Sequence, residues 1–447
     1  MEGNKYSAEE YALLKPVMET GKGFYFLVTV LVLIILWAIY AYSYQLRYGL
    51  SVTGLNWPVF WGLYITNFVF FIGISHAGTL ISAILRICRA EWRRSITRAA
   101  EVITVLVLFI GAGNVILDVG RPDRVLKVLT SGHLRSPLLW DVISISTYLT
   151  VSSIYLYLPL IPDIAILRDH GPQSRRWFYR ILALGWQGTP KQHRYLEIGI
   201  AIMAVIVIPV AVSVHTVVSW VFAMTIQPMW HSTIFGPYFV AGAIFSGIAA
   251  IIIAMAIIRK AYHLEEYLKP VHFNNLGILL LVMTLLWFYF TFAEHLTTYY
   301  GAEPHELEVL YAKMTGRYAP YFWAMVIFNF VLPMILLSIR RLRTITGVVI
   351  ASISVEIGMW LERFTIVVPT LVNPRLTYEP SLYRPTWVEW SLMAGCFALF
   401  FLLYLLFTKL FPIVSIWEIR EGREKAFSEV KERFEEYFPR VSAQPGD

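Results

Sequence analysis

Ten long apolar stretches, separated by short charged breaks, occupy almost the whole of this 447-residue chain. Each is long enough to cross a bilayer, which takes about 20 residues of helix. In hydrocarbon every backbone N–H and C=O must be satisfied within its own segment, so such stretches fold as helices. The chain is therefore expected to be an all-α polytopic membrane protein. Its balance of 57% hydrophobic and 15% charged residues excludes an ordinary soluble domain. Trp and Tyr gather at the ends of the stretches, where an interfacial belt places them.

The apolar pattern predicts spans at roughly 24–46, 58–86, 99–119, 138–161, 195–220, 235–259, 273–295, 318–339, 345–367 and 387–410. Most of the 37 Lys and Arg residues lie in the segments that share a side with both chain ends. The positive-inside rule then predicts both termini on the cytoplasmic side. The charged segment before Phe24 leads straight into a full-length span, so no cleavable signal peptide is expected. The inner segment 162–194 carries Arg168, Arg175, Arg176 and Arg180 among apolar residues. It is expected to lie on the inner leaflet as an amphipathic stretch. The tail after Trp417 reads as a mixed-charge helix in cytoplasmic solvent. The net charge of +7 is a topology signal rather than a nucleic-acid patch.

A repeat is visible. Gly62, Tyr64, Phe71, Gly73 and Ile84 recur 174 residues later as Gly236, Tyr238, Phe245, Gly247 and Ile258. Arg86 is matched by Lys260. Spans two to five thus align with spans six to nine, and four intervening helices give the two sets one orientation. Two side-by-side four-helix bundles related by a parallel repeat are expected, with spans one and ten peripheral. Chance similarity between apolar helices is the competing reading. The corresponding domains are 1–57 (N-terminal segment and first span), 58–220 (first bundle), 221–367 (second bundle) and 368–447 (last span and charged tail).

Ionisable groups inside apolar spans are expensive and usually functional. Span three ends in Asn114-Val-Ile-Leu-Asp118-Val-Gly120-Arg121-Pro122-Asp123-Arg124. Span four follows His133-Leu-Arg135-Ser136-Pro137 and carries Asp141 in its first turn. Two helix ends at the outer face thus bring carboxylates, arginines and a histidine towards one place. A quinone head group needs such donors and acid/base groups for its two carbonyl oxygens and two protons. The spacing fits equally well a structural pair, Asp118 with Arg121 or Arg124, that fastens a tight loop. His76 in span two and His215 in span five could relay protons, ligate a haem or sit hydrogen-bonded in the core. His215 is expected towards the outer end and His76 towards the inner, which disfavours one shared haem. Glu294-His295, Glu356 and the neighbours Glu362-Arg363 could form an ion-pair network or steps of a proton path. Glu362 and Arg363 point to different parts of a helix face, so each is expected to need its own partner.

Cys88 and Cys396 are too far apart for a metal-ligand pattern or a disulfide framework. Any iron–sulfur cluster or covalently attached haem is therefore expected on another subunit, and no metal ligand is assigned in this chain. The sequence has no Walker loop, Rossmann glycine run or Ser-His-Asp pattern, which speaks against an ATP-driven pump or a hydrolase.

Asp118-Val-Gly120-Arg121-Pro122 and Arg135-Ser136-Pro137-Leu-Leu-Trp140-Asp141 resemble the polysulfide-reductase/NrfD-like family of quinone-interacting membrane subunits. Ile74-Ser-His76-Ala-Gly78-Thr79, Ser213-Val-His215-Thr216 and Phe235-Gly-Pro237-Tyr238 are similar to one branch, the larger quinol-binding membrane subunit of alternative complex III. The likeness covers about residues 24–410. It implies a quinol site in the first bundle near the outer face, with Asp141 as a quinone-site acid and Asp118 at the other proton-handling position. Arg121 would tune both, Pro122 and Pro137 would shape the pocket, and Ser136 and His133 would border it. His76, His215, Glu356 and Glu362 would serve a proton path. The branch is expected to carry histidine where this chain has Asp118, so quinone type and direction of reaction stay open. The implied reaction is two-electron oxidation of a quinol, menaquinol first. The implied partners are a periplasmic iron–sulfur subunit, a multihaem c-type cytochrome and a homologous second membrane subunit. The alternatives are a quinone-reducing membrane protein of a related complex and, of another class, a transporter or channel without redox role.

Overall fold

The computed structural model describes residues 8–376, 378 and 381–437. Ten helices among them are long and apolar enough to span a membrane: Lys22–Tyr48, Leu63–Ile87, Thr97–Val119, Pro137–His170, Pro190–Ala223, Phe235–Ala261, Pro270–Gly301, Ala319–Ser338, Ile345–Val372 and Trp387–Leu410. These are spans one to ten, and no β-strand occurs among the described residues. Proline opens spans four, five and seven, at Pro137, Pro190 and Pro270. There its missing N–H costs nothing, because the first turn has no acceptor for it. Capping boxes at Thr189/Gln192 and Thr386/Glu389 start spans five and ten.

Successive spans run in opposite directions. One end of the molecule carries segments 49–62, 120–136, 224–234 and 302–318, and is called here the 120-loop end. The other, arginine-rich end carries the turn 88–96, the segment 171–189 and the C-terminal helix Ile416–Tyr437. Spans two and three pack most closely, as do four with five, one with ten, and six with both seven and nine. Span six also lies against span two. Small residues permit these approaches, since packing rather than water exclusion holds helices together in lipid. A Cβ at Gly78 would sit 2.0 Å from both the Ala100 carbonyl oxygen and Thr104 Oγ1 of span three. A Cβ at Gly395 of span ten would sit 2.3 Å from the Ala38 methyl of span one.

Three expectations change. Span four does not stop near 161. It continues to His170 through Pro159 and Pro162, because span five packs along its length and tertiary contact outweighs the breakers. The inner segment is correspondingly short, with one small helix, Arg176–Leu182. It seats on the end of span ten: Tyr179 is fully buried and its hydroxyl donates to Leu410 O (3.0 Å), while Arg175 donates to Lys409 O (2.6 Å). Span two begins at Leu63 rather than near 58.

The tail is also less solvated than its charge suggests. Glu418 is buried and pairs with Arg86 and, at 3.4 Å, with Arg93. Asp163, fully buried in span four, pairs with Arg98 and accepts from the backbone N–H of Ile416 and Trp417, each at 3.1 Å. A carboxylate placed there answers both the orphan N–H groups and the positive end of the helix. Burial raises the Glu418 carboxyl, but Arg86 and Arg93 outweigh burial and hold it below its ordinary 4.5.

Two outcomes follow from this packing. Gly78→Val should lower the yield of folded, assembled protein sharply. Gly113→Val should not, because nothing lies within 4 Å of a Cβ there. Equal yields would contradict the close approach of spans two and three. Glu418→Gln should cost about 3 kcal/mol by breaking a buried pair, read as faster proteolysis within Ile416–Tyr437. Because the folded-state value is lowered, the wild-type contribution is complete above about pH 4.5 and fades as pH falls through the lowered value. The variant should lack that pH dependence.

Candidate functional site

At the 120-loop end, span three stops because Gly120 adopts φ +67°, a left-handed cap that only glycine takes without strain. The chain passes through the single turn Pro122–Arg124 and the short helix Lys127–Thr130, then enters span four at Pro137. The indole of Trp140 donates back to Leu134 O (2.7 Å) and Ser136 N–H to His133 O (2.8 Å), so the loop is tied to the helix start. Pro122, Ser136 and Pro137 are half-buried along this loop, and His133 is exposed.

The two aspartates stand on either side of it. Asp141 is buried at 8% exposure, and its Oδ1 has no hydrogen-bond partner among the described residues. Asp118 is half-buried, and its Oδ1 is likewise buried and unpartnered. No hydrogen bond or ion pair links the two among the described residues. Asp118 instead lies within electrostatic reach of Glu389 and Tyr64. Arg121 turns away from both: it is exposed and grips Asp123 through Nε (3.0 Å) and Nη2 (2.9 Å). The reading in which Asp118 pairs with Arg121 or Arg124 is not what forms; Arg121 makes a local surface pair with Asp123 instead. It leaves both aspartates without a cation of their own.

The surroundings of Asp118 include residues that the sequence reading missed. Glu389 is fully buried and accepts from Gly54 N–H (2.7 Å), Thr386 N–H (2.9 Å) and the Tyr383 hydroxyl (2.5 Å). Tyr64 donates to Gln45 Oε1 (2.5 Å), whose amide donates to Leu117 O (2.9 Å). Glu389 was marked in the sequence by the spacing Thr386-x-x-Glu389 of a capping box. Nothing local signalled its neighbour across the fold.

A second set of polar side chains runs through the interior. His76 and His215 meet, with ring centroids 3.7 Å apart and both rings buried. The expectation of different depths is therefore corrected. Span two starts five residues later than its apolar run, which brings His76 to mid-span, and span five overhangs at the arginine-rich end. Centroids this close leave no room for an iron between the rings. Directly after His76 the helix widens into a π turn, Ala77–Ile81, a distortion frequent at functional sites. From there hydroxyls descend towards the arginine-rich end. Thr79 and Tyr148 are 2.8 Å apart, Tyr155 lies 3.3 Å from Ser82, and Ser82 donates to the buried carboxylate Glu101 (2.6 Å). Glu101 was missed in the sequence because it falls near the start of span three, where an acid reads as a complement to the helix dipole.

On span nine, Glu362 and Arg363 pair with each other at 3.1 Å, both at 1% exposure. They are neighbours in sequence, yet the long arginine side chain curls back. Each also has its own partner, as expected: Trp287 donates to Glu362 Oε1 (2.6 Å), and Arg363 lies 5.0 Å from the ring centre of Phe239. Glu356, two turns towards the arginine-rich end, accepts from Ser246 (3.1 Å) with one oxygen only.

At the 120-loop end of spans six to nine, Glu294, His295, Tyr238 and Lys313 line a cavity of about 30 Å³, room for a water. Glu294 accepts from Ser232 (2.5 Å). Lys313, in the helix Pro304–Met314, is buried, with Met229 Sδ 3.9 Å away. Burial pulls its ammonium down to about 8, against the opposing charge of Glu294. Its spacing after Val309 and Leu310, on one helical face, was the available signal.

The arrangement defines a class: an all-helical, multi-pass membrane protein with buried acid/base groups at one end and along its interior. The family model for polysulphide reductase, NrfD, matches residues 51–374. The chain belongs to that family. Among its relatives is a putative dimethyl sulfoxide reductase membrane protein of Halobacterium salinarum, 25% identical over 79% of each chain. A subunit of the selenate reductase of Mesobacillus selenatarsenatis is 25% identical over 87% of this chain and 94% of its own length. The Hdr-like menaquinol oxidoreductase integral membrane subunit of Archaeoglobus fulgidus is 21% identical over 91% of this chain and 98% of its own. All three are named as parts of multi-subunit enzymes, and this chain is a membrane subunit of the same kind.

The interior ion pair gives a test. Arg363→Leu leaves Glu362 buried without its cation and should cost about 3–5 kcal/mol. Adding Glu362→Gln should recover much of the lost Tm in a thermal melt of the purified complex. Equal melting of the single and double variants would show that the two side chains are not coupled.

Proposed function

We propose that this chain binds and oxidises a membrane quinol, menaquinol in the first instance, at the 120-loop end of spans two to five. The observation that carries this reading is Asp141: a buried carboxylate with an unpartnered oxygen, beside an exposed loop at a membrane-edge helix start. Leaving a buried acceptor unsatisfied costs about 1–3 kcal/mol or more. A site that meets its partner only when a ligand hydroxyl arrives explains why the cost is tolerated. Asp118 offers a second such oxygen. The Archaeoglobus relative named as a menaquinol oxidoreductase subunit supports the choice of substrate.

In the reaction both quinol O–H bonds break. One proton passes to Asp141 and one to Asp118, and two electrons leave the ring. They go to an iron–sulfur subunit docked on this end and onward to a multihaem c-type cytochrome. Leu126 (71% exposed), Leu129 and Leu134 (81% exposed) form an apolar crest that suits a docked partner. Pro122, Ser136 and Pro137 shape the pocket wall, and His133 faces the ring oxygens once the partner closes the loop. Arg121, held by Asp123, stands at the mouth. On this reading the 120-loop end is periplasmic, both termini are cytoplasmic, and the protein sits in a prokaryotic inner membrane. The complex also holds a homologous second membrane subunit, as in alternative complex III.

Residues 58–220 and 221–367 are then two bundles of one ancestral design. A parallel in spans four and eight supports this. Pro137-Leu-Leu-Trp140 and Pro320-Tyr-Phe-Trp323 each open a helix, and each indole donates back to the preceding segment, to Leu134 O (2.7 Å) and Met314 O (2.9 Å). The first bundle carries the quinol. The hydroxyl line from Glu101 to His76 and His215, continued by Glu362 and Glu356, carries protons.

Asp141→Asn should lower quinol turnover by about 10²-fold or more, the scale of a lost acid/base group, while the complex still assembles. Normal turnover in an assembled variant would remove Asp141 from the site.

A further inference from the structure

Between spans one and ten on one side and spans two, three and six on the other lies a cavity of about 460 Å³. Its walls are aromatic and aliphatic: Phe70 and Phe71 of span two, Ile253 of span six, Phe397 and Phe400 of span ten. The rings of Phe71 and Phe397 are 5.0 Å apart, and those of Phe70 and Phe397 6.1 Å. At its rim Leu27 and Phe401 are exposed, so the cavity opens sideways towards lipid. One carboxylate lines it, Glu356 of span nine. Ser246 satisfies its Oε2, and the Ala250 backbone lies close to the carboxylate, while Oε1 is buried and makes no hydrogen bond among the described residues. The other polar group on the wall, the Tyr404 hydroxyl, is directed at Ala99 O (3.4 Å).

This composition selects its occupant. An acyl chain fills apolar space but brings no donor, and would leave the Glu356 oxygen dry against hydrocarbon. A water needs two to four polar partners, and the wall supplies one free acceptor. A flat aromatic body with a hydroxyl fits both features, because the ring lies among phenyl rings and the O–H reaches the carboxylate.

We propose that this cavity binds a second molecule of hydroquinone, with one ring hydroxyl donating to Glu356. The proposal rests on the quinol reading above but concerns a separate place. Val107, which lines the cavity, is eleven residues before Asp118 on span three, about 16 Å along the helix. No electron transfer is assigned here. The cavity is a holding site reached from the bilayer.

The test uses the intact complex, stripped of quinone and reconstituted in nanodiscs, with a diazirine-tagged menaquinol held in its reduced form. Labelled peptides are then mapped. Two labelled regions are expected, one around Asp141 and one in spans six and ten. Ile253→Trp, which fills the cavity, should abolish only the second. Glu356→Leu should weaken the second about tenfold, the worth of one hydrogen bond. Assembly of each variant is checked by size exclusion. Labelling of spans six and ten that survives Ile253→Trp in assembled complex overturns the proposal. So does equal labelling by a diazirine-tagged phosphatidylglycerol that competes with the quinol, which would make the cavity a plain lipid site. Label in spans six and ten without label near Asp141 would keep this site and remove the outer one.

Discussion

Inside a bilayer there is no water to answer a polar atom, and that single constraint organises this protein. The backbone meets it by being helical almost throughout. The side chains meet it by local repayment: serines and threonines bond to carbonyls one turn back, as Thr284 does to Leu280 O (2.9 Å) and Ser352 to Val348 O (2.8 Å). Not every buried side chain is met in this way, and among those that are not are several ionisable groups. Asp118, Asp141, Glu356 and His76 each keep a buried polar atom without a partner among the described residues. They lie on different spans and at different depths, and their placement is what the functional reading interprets.

The two ends of the molecule are built differently for the same reason. At the arginine-rich end, Arg86, Arg93 and Arg98 are matched by Glu418 and Asp163, with the tail helix folded on as a clamp. Buried charges there are paired, and burying them alone would be costly. At the 120-loop end, Asp118 and Asp141 each keep one carboxylate oxygen without a partner among the described residues.

Much of this was legible in the sequence. Ten apolar runs gave ten spans, because length and hydrophobicity alone decide membrane insertion. The motifs around Asp118 and Asp141 pointed to the correct family. What failed was whatever depended on distant partners. Span four was expected to end near 161, yet packing against span five carries the helix through Pro159 and Pro162 to His170. His76 and His215 read as lying at different depths, because an apolar run does not mark where its helix begins. Arg121 read as a partner for Asp118, yet Asp123, two residues on, captures it. Glu389 and Tyr64 beside Asp118, and the tail beside Asp163, come from far along the chain. No local pattern could have joined them.

The central claim is that a quinol head group docks at the 120-loop end and hands its hydrogens to Asp141 and Asp118. A density map of the intact complex with bound quinone tests it most directly. The account predicts a ring oxygen within hydrogen-bond distance of the Asp141 carboxylate, the ring lying under the Gly120–Ser136 loop. A head group bound elsewhere, with Asp141 bonded only to its own loop, would contradict it.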